Sequence, residues 1–229
     1  LVTELVTTPE GIEQFVHALF ASYSTVSLEP NAELLSKFLD FRCHSITRFV
    51  QQAAELAYSL DRAVGLDCFS PALTRMVGQD LGTLDRYCDW IKVMSYGHAL
   101  APAGIPFELL ALANWLVDDK GFDETQALAL LSRATHLPLP RNRIGLQKEG
   151  VPPAALKLEA QRARTAGVKI VLAGIELVEV EGITDLCPPQ IEADLVAFRE
   201  ADVEGLALSW DLWEIPLEHL VRVRDVYAT

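Results

Sequence analysis

The stretch Asp89–Gly104, DWIKVMSYGHALAPAG, decides how this chain is read. It begins as a short buried strand and ends in small, turn-forming residues. Alternation along a strand puts Trp90, Lys92, Met94 and Tyr96 on one face and Ile91 and Val93 on the other. A lysine on a buried strand needs a counter-charge, because an unpaired buried charge is costly. The next strand upstream, Val64–Phe69 (VGLDCF), offers one: Asp67 shares a face with Gly65, opposite Leu66 and Cys68.

Outward from this pair, strands and helices alternate. Pro9–Ala21 has helical spacing of Ile12, Phe15, Val16 and Leu19, and Pro9 suits a first turn. A short helix follows Asn31. Over Cys43–Leu60, residues Ile46, Phe49, Val50, Ala53, Leu56, Ala57 and Leu60 trace an amphipathic stripe. A helix is expected over Ala72–Cys88, and a weak strand is conceivable at Thr25–Leu28. After the Trp90 strand come helices at Phe107–Val117, from Asp123 (with capping-box spacing to Gln126) to Ala134, and from Pro153 to Ala166. Strands at Val168–Ile175 and Val203–Trp210 alternate with helices at Pro189–Ala201 and Leu217–Tyr227. Such alternation predicts parallel strands joined by helical crossovers. The interval from Trp90 to Val168 is too long for one βα unit of about 30 residues in an eight-fold barrel. It therefore predicts a helical insertion over 103–166 inside one domain spanning 1–229. Four or five strands do not close an eight-stranded barrel. The expectation is an open sheet or the C-terminal part of a barrel, with the missing initial methionine pointing to processing or to further upstream sequence.

Composition narrows function. The 229 residues are half hydrophobic and carry a net charge of −13, from 19 basic and 32 acidic side chains. Phosphate recognition needs a basic patch, so no nucleic-acid partner is expected, and an anionic membrane surface is disfavoured too. No apolar run approaches the ~20 residues of a membrane span. The four cysteines, Cys43, Cys68, Cys88 and Cys187, form no CxxC pair, so no metal or cofactor is expected and free thiols suggest a reducing, cytoplasmic setting. The HExxH pattern, the phosphate-cradling Gly-rich loop and the nucleophile elbow do not occur.

The segments FLDFRCHSITRFV (Phe38–Val50), VGLDCFSP (Val64–Pro71), VGQD (Val77–Asp80), DWIKVMSYGH (Asp89–His98), LAGIEL (Leu172–Leu177) and LSWDLWEIP (Leu208–Pro216), in this order, resemble bacterial glycoside-hydrolase-like TIM-barrel proteins. The resemblance runs from about Leu34 to Leu220. It implies an α/β fold of the (β/α)8 class, with this chain supplying about the last four βα units, a carbohydrate or other small-molecule substrate, and a site at the C-terminal ends of the strands. It also implies that Glu176 ends the seventh strand, where related hydrolases keep their nucleophile, with the acid/base carboxylate upstream of Leu1. The Met94-x-Tyr96 pattern is similar to that of chitinase-like barrels, but Gly97 stands where those carry an aspartate.

The strand ends therefore supply the candidate site residues. Glu176 is the candidate nucleophile or stabiliser of an oxocarbenium-like centre, needing a second carboxylate ~5–9 Å away. Asp67 and Tyr96 join it as catalytic candidates, although an Asp67–Lys92 ion pair would be structural. His98, Asp211, Trp213 and Lys92 are candidates for substrate binding; Trp213 suits a sugar-stacking platform, while Trp210 shares a face with Leu206 and Leu208 and suits the core. Two other classes remain open. A buried lysine on this strand could serve a Schiff-base lyase or aldolase, although Lys92 lies early in its strand. A barrel of this kind could also be a non-catalytic carbohydrate-binding or scaffold module.

Overall fold

The computed structural model describes residues 2–227. Four parallel strands, β1 (Gly65–Phe69), β2 (Trp90–Met94), β3 (Val171–Ile175) and β4 (Gly205–Leu208), lie side by side in chain order. Asp67 is in register with Lys92, and Lys92 with Leu172. Helical crossovers connect every pair. This is an α/β architecture with a four-stranded parallel sheet and flanking helices, consistent with part of a TIM-barrel-like fold. All four strands fall inside the stretches their sequence predicts, shorter at the ends. No helix among the described residues is long and apolar enough to cross a membrane.

The two faces of the sheet have different surroundings. Cys68, Ile91, Val93 and Val171 are buried under Leu81, Leu84 and Ala163 of the crossovers. Asp67, Lys92, Met94 and Leu172, on the opposite face, keep partial exposure. A larger apolar core joins β3 to the helices Pro9–Leu19, Ile105–Asn114, Glu124–Thr135, Pro153–Thr165 and Pro188–Glu200. The helices after β2 thus pack into the same core as the sheet. Helix Ile105–Asn114 continues through a π-helical turn, Trp115–Asp119, and Asp123 caps the next helix by accepting from the N–H groups of Thr125 and Gln126.

Three local expectations change. Thr25–Leu28 is not a strand. The helix expected over Ala72–Cys88 is two single turns, Pro71–Thr74 and Leu81–Leu84, each with a 3-10 extension. Gly78, with φ +81°, stops the first, and Asp80 caps the second by accepting from Thr83 N–H. The third change concerns the long helix, which runs unbroken from Pro30 to Ser59 and buries Leu35, Leu39, Cys43, Thr47 and Ala54. The apolar stripe read from its sequence points outward, with Phe49 and Leu56 exposed. The helix is apolar on two sides. Its orientation is set by Leu5 and Ala18, which pack on Leu35 and Leu39, and by Arg42, whose guanidinium donates to the Met76 carbonyl at 2.7 Å.

Candidate functional site

Glu176 stands one residue past β3 and is 2 % exposed. Its carboxylate accepts from the Gly97 N–H at 3.2 Å and from the His98 N–H. These donors come from the turn that follows β2. That turn is itself pinned: Ile105 N–H donates to the Tyr96 carbonyl at 2.9 Å, and Val151 N–H to the Gly97 carbonyl at 2.8 Å. Gly97, the position that departs from the chitinase-like pattern, therefore serves the turn through both its main-chain groups.

The His98 side chain turns away from Glu176 toward the helix Pro188–Glu200. Its Nε2 lies 2.8 Å from Asp194 Oδ2 and its Nδ1 lies 2.9 Å from the Glu149 carbonyl. The carbonyl accepts only, and so does an ionised carboxylate, so both ring nitrogens carry hydrogen and His98 is an imidazolium. Electrostatics agree. Burial alone would lower its pKa, but the hydrogen bond to Asp194 and the charges of Glu176 and Asp194 raise it to about 9. Burial raises Asp194 against the pull of His98. Burial also pushes Glu176 up to about 7, with His98 pulling it down and Asp194 pushing it up. Three ionisable groups from β2, β3 and the following helix thus share one buried cluster, with Glu176 poised near neutrality.

Beside this cluster lies the open face of the sheet. Lys92 Nζ donates to Asp67 Oδ2 at 3.0 Å, the pairing that strand alternation predicts. Lys92 Nζ also lies 5.8 Å from the centre of the Tyr96 ring. Burial would lower the lysine pKa, but the hydrogen bond to Asp67 and the nearby phenol outweigh it and hold it above the ordinary value. Tyr96 is buried and packs edge-on against Trp210, centroids 5.3 Å apart. Trp210 is thus half-exposed at the strand end rather than in the core. Asp211 caps the Leu212–Glu214 turn by accepting from Trp213 N–H at 3.0 Å, and the Trp213 ring is 92 % exposed.

The site residues predicted from sequence therefore separate into three groups: Glu176 with His98, the Lys92–Asp67–Tyr96 face, and the Asp211–Trp213 turn. Asp67 is level with Leu172, so at ~3.3 Å per residue and ~4.8 Å per strand Glu176 stands roughly 16 Å from it, backbone to backbone. The Asp67 carboxylate is bound to Lys92 lower on the sheet, so it is not presented to Glu176 as the second carboxyl group of a glycosidase pair. Sequence reading overlooked Asp194. Its signal was an acidic residue on the stripe Ile191, Leu195, Phe198, where the helix buries its side chains. Glu159 was overlooked for the same reason. Fully buried, it accepts from the Ser70 hydroxyl at 2.6 Å, the Ala72 N–H at 2.7 Å and Arg162 at 2.6 Å, and fixes the turn after β1.

Comparison with protein-family models, with curated proteins and with solved structures finds no match to this chain. The functional reading rests on the site itself.

Proposed function

We propose that this chain is part of a carbohydrate-active (β/α)8 barrel that hydrolyses a glycosidic bond, with Glu176 as its proton-carrying carboxylate. The observation that carries the reading is a glutamate buried one residue past a parallel strand, where burial pushes its pKa up to about 7. That proton affinity suits a general acid better than a nucleophile, which must stay ionised. The C-terminal ends of barrel strands are where such chemistry sits. The exposed Trp213 ring is a stacking surface for a sugar, and Tyr96 supplies a phenol at the adjoining strand end. Since Asp67 is committed to Lys92, the second carboxylate of the mechanism comes from another part of the barrel.

The burial of Glu176 favours a second reading. Both of its oxygens accept main-chain N–H groups, so the cluster could simply lock the ends of β2 and β3 in a barrel that binds sugar without cleaving it. The Schiff-base alternative has no such support, because Lys92 is charged, paired and below the strand end.

A panel of disaccharides and alkyl glycosides, whose poor leaving groups need a proton, assayed with the whole barrel-forming protein as wild type and as Glu176→Gln, separates these. Hydrolysis by wild type and at least about a thousandfold loss in the variant is the expected result, in line with the worth of a catalytic acid. Turnover of the panel by neither protein, or by both equally, overturns the catalytic proposal.

A further inference from the structure

His219 opens the helix Leu217–Tyr227 and is fully buried. Its Nδ1–H donates to the Leu177 carbonyl at 2.8 Å. In the neutral ring that bond leaves Nε2 as a bare lone pair. Among the described residues this nitrogen has no hydrogen-bond partner. What faces it is a pair of carboxylates: Glu179 Oε1 lies 3.5 Å away, and Glu218 is close enough that one atom from each of the three residues falls within 4.8 Å of the others. A buried ring nitrogen facing two carboxylates calls for a positive charge between them, either a proton on the ring or a metal ion.

We propose that His219, Glu179 and Glu218 bind a divalent transition-metal ion, for which zinc is the reference. Zinc bonds to imidazole and carboxylate are ~2.0–2.1 Å, so a tetrahedral edge is roughly 3.4 Å, close to the His219–Glu179 separation. The distance is too long for a good direct hydrogen bond between the two side chains. Imidazole with carboxylates suits zinc, iron or manganese rather than calcium, and both glutamates are exposed, leaving a fourth position open to solvent. The outer contacts are those of a metal-ligating histidine, whose second nitrogen is oriented by a main-chain carbonyl. The loop holding Glu179 is fixed as well. Its N–H donates to the Glu214 carbonyl at 3.1 Å, and the buried Ser209 hydroxyl accepts from the Leu177 and Val178 N–H groups. The site sits on the C-terminal rim of β3 and β4, beside the turn that carries Trp213. It is independent of the role given to Glu176.

No sequence pattern announces this set, because Glu179 and the Glu218–His219 pair come from different connections. The test uses the full chain without a histidine tag, stripped with EDTA and titrated with zinc chloride against a chromogenic zinc indicator. One zinc ion per chain is expected, with a melting temperature that rises with zinc concentration. Glu179→Gln and Glu218→Gln alter exposed side chains and should fold; each should weaken binding at least tenfold, and the double variant should abolish it. Cys187→Ser, which removes the exposed thiol, should bind as wild type does. Absence of saturable uptake, uptake unchanged in the double glutamine variant, or loss of uptake in Cys187→Ser overturns the proposal.

Discussion

His98 and Asp194 form a buried ion pair, Nε2 to Oδ2 at 2.8 Å, joining the turn after β2 to the helix after β3. The second ring nitrogen is spent on the Glu149 carbonyl, so the histidine holds the cluster together and has no free nitrogen to offer a substrate. Removing one partner strands the other charge in a largely buried site. Asp194→Asn should therefore destabilise the fold by about 3–5 kcal/mol, the usual result of breaking a buried pair, as read by urea unfolding. A loss below about 1 kcal/mol would mean that the imidazolium is not what Asp194 holds.

Stability should fall as pH rises from 5 to 9. The His98 pKa is raised from 6.5 to about 9, so its contribution is complete below 6.5 and disappears as pH passes through 9. The Glu176 pKa is raised from 4.5 to about 7. For an acid, that sign favours folding while the group is protonated, so its contribution is present below 4.5 and lost through 7. Both limbs slope the same way. Thermal melts at half-unit steps should show Glu176→Gln flattening the decline between pH 4.5 and 7 relative to wild type. Parallel curves for the two proteins would remove the assignment.

Lys92 and Asp67 should behave as an ordinary, half-screened pair. Asp67 is 62 % exposed at its side chain and Lys92 14 %, so Asp67→Asn should cost under about 1 kcal/mol. A charged, paired lysine is also a poor amine nucleophile. Borohydride treatment with an aldehyde probe should leave Lys92 unlabelled, as followed by peptide mass spectrometry, and labelling there would revive the aldolase reading.

Glu159 should matter far more than its place in the middle of a helix suggests. It joins the helix Pro153–Thr165 to Ser70 and Ala72 at the end of β1 and neutralises Arg162, whose guanidinium also lies 4.0 Å from the centre of the Tyr23 ring. Glu159→Ala leaves a partly buried cation and two unsatisfied donors, and a loss of about 3–5 kcal/mol in chemical denaturation is expected. A near-neutral variant would show that water replaces the carboxylate there.

What the sequence could and could not reveal follows from these contacts. Period-two alternation found the Lys92–Asp67 pair because both partners lie on neighbouring strands in register, so a local pattern carries a tertiary fact. Glu176 was legible as the first polar residue past an apolar strand. Asp194 and Glu159 were not, since each interrupts an apolar helical stripe and its partner lies 96 or 87–89 residues away. The stripe on Pro30–Ser59 failed differently. Periodicity reports that a helix has an apolar side, but where two sides are apolar only the packing partners choose between them.

The turn that serves Glu176 gives the sharpest test of the cluster. Gly150 has φ +70°, and a Cβ there would lie 2.1 Å from the Gly97 carbonyl oxygen and 2.8 Å from His98 Nδ1. Gly121 has a nearly identical φ of +72°, but a Cβ would meet nothing within 4 Å. Gly121→Ala should therefore show the backbone strain alone, about 1–2 kcal/mol. Gly150→Ala adds a collision with main chain that has no rotamer to escape into, and it must push Gly97 and His98 off the Glu176 carboxylate. The second variant should lose markedly more stability than the first, and the limb assigned to Glu176 should move to higher pH, because the His98 charge and main-chain donor hold that pKa down. Equal losses in the two variants, with the limb unmoved, would show that the 97–98 turn does not set the proton affinity of Glu176.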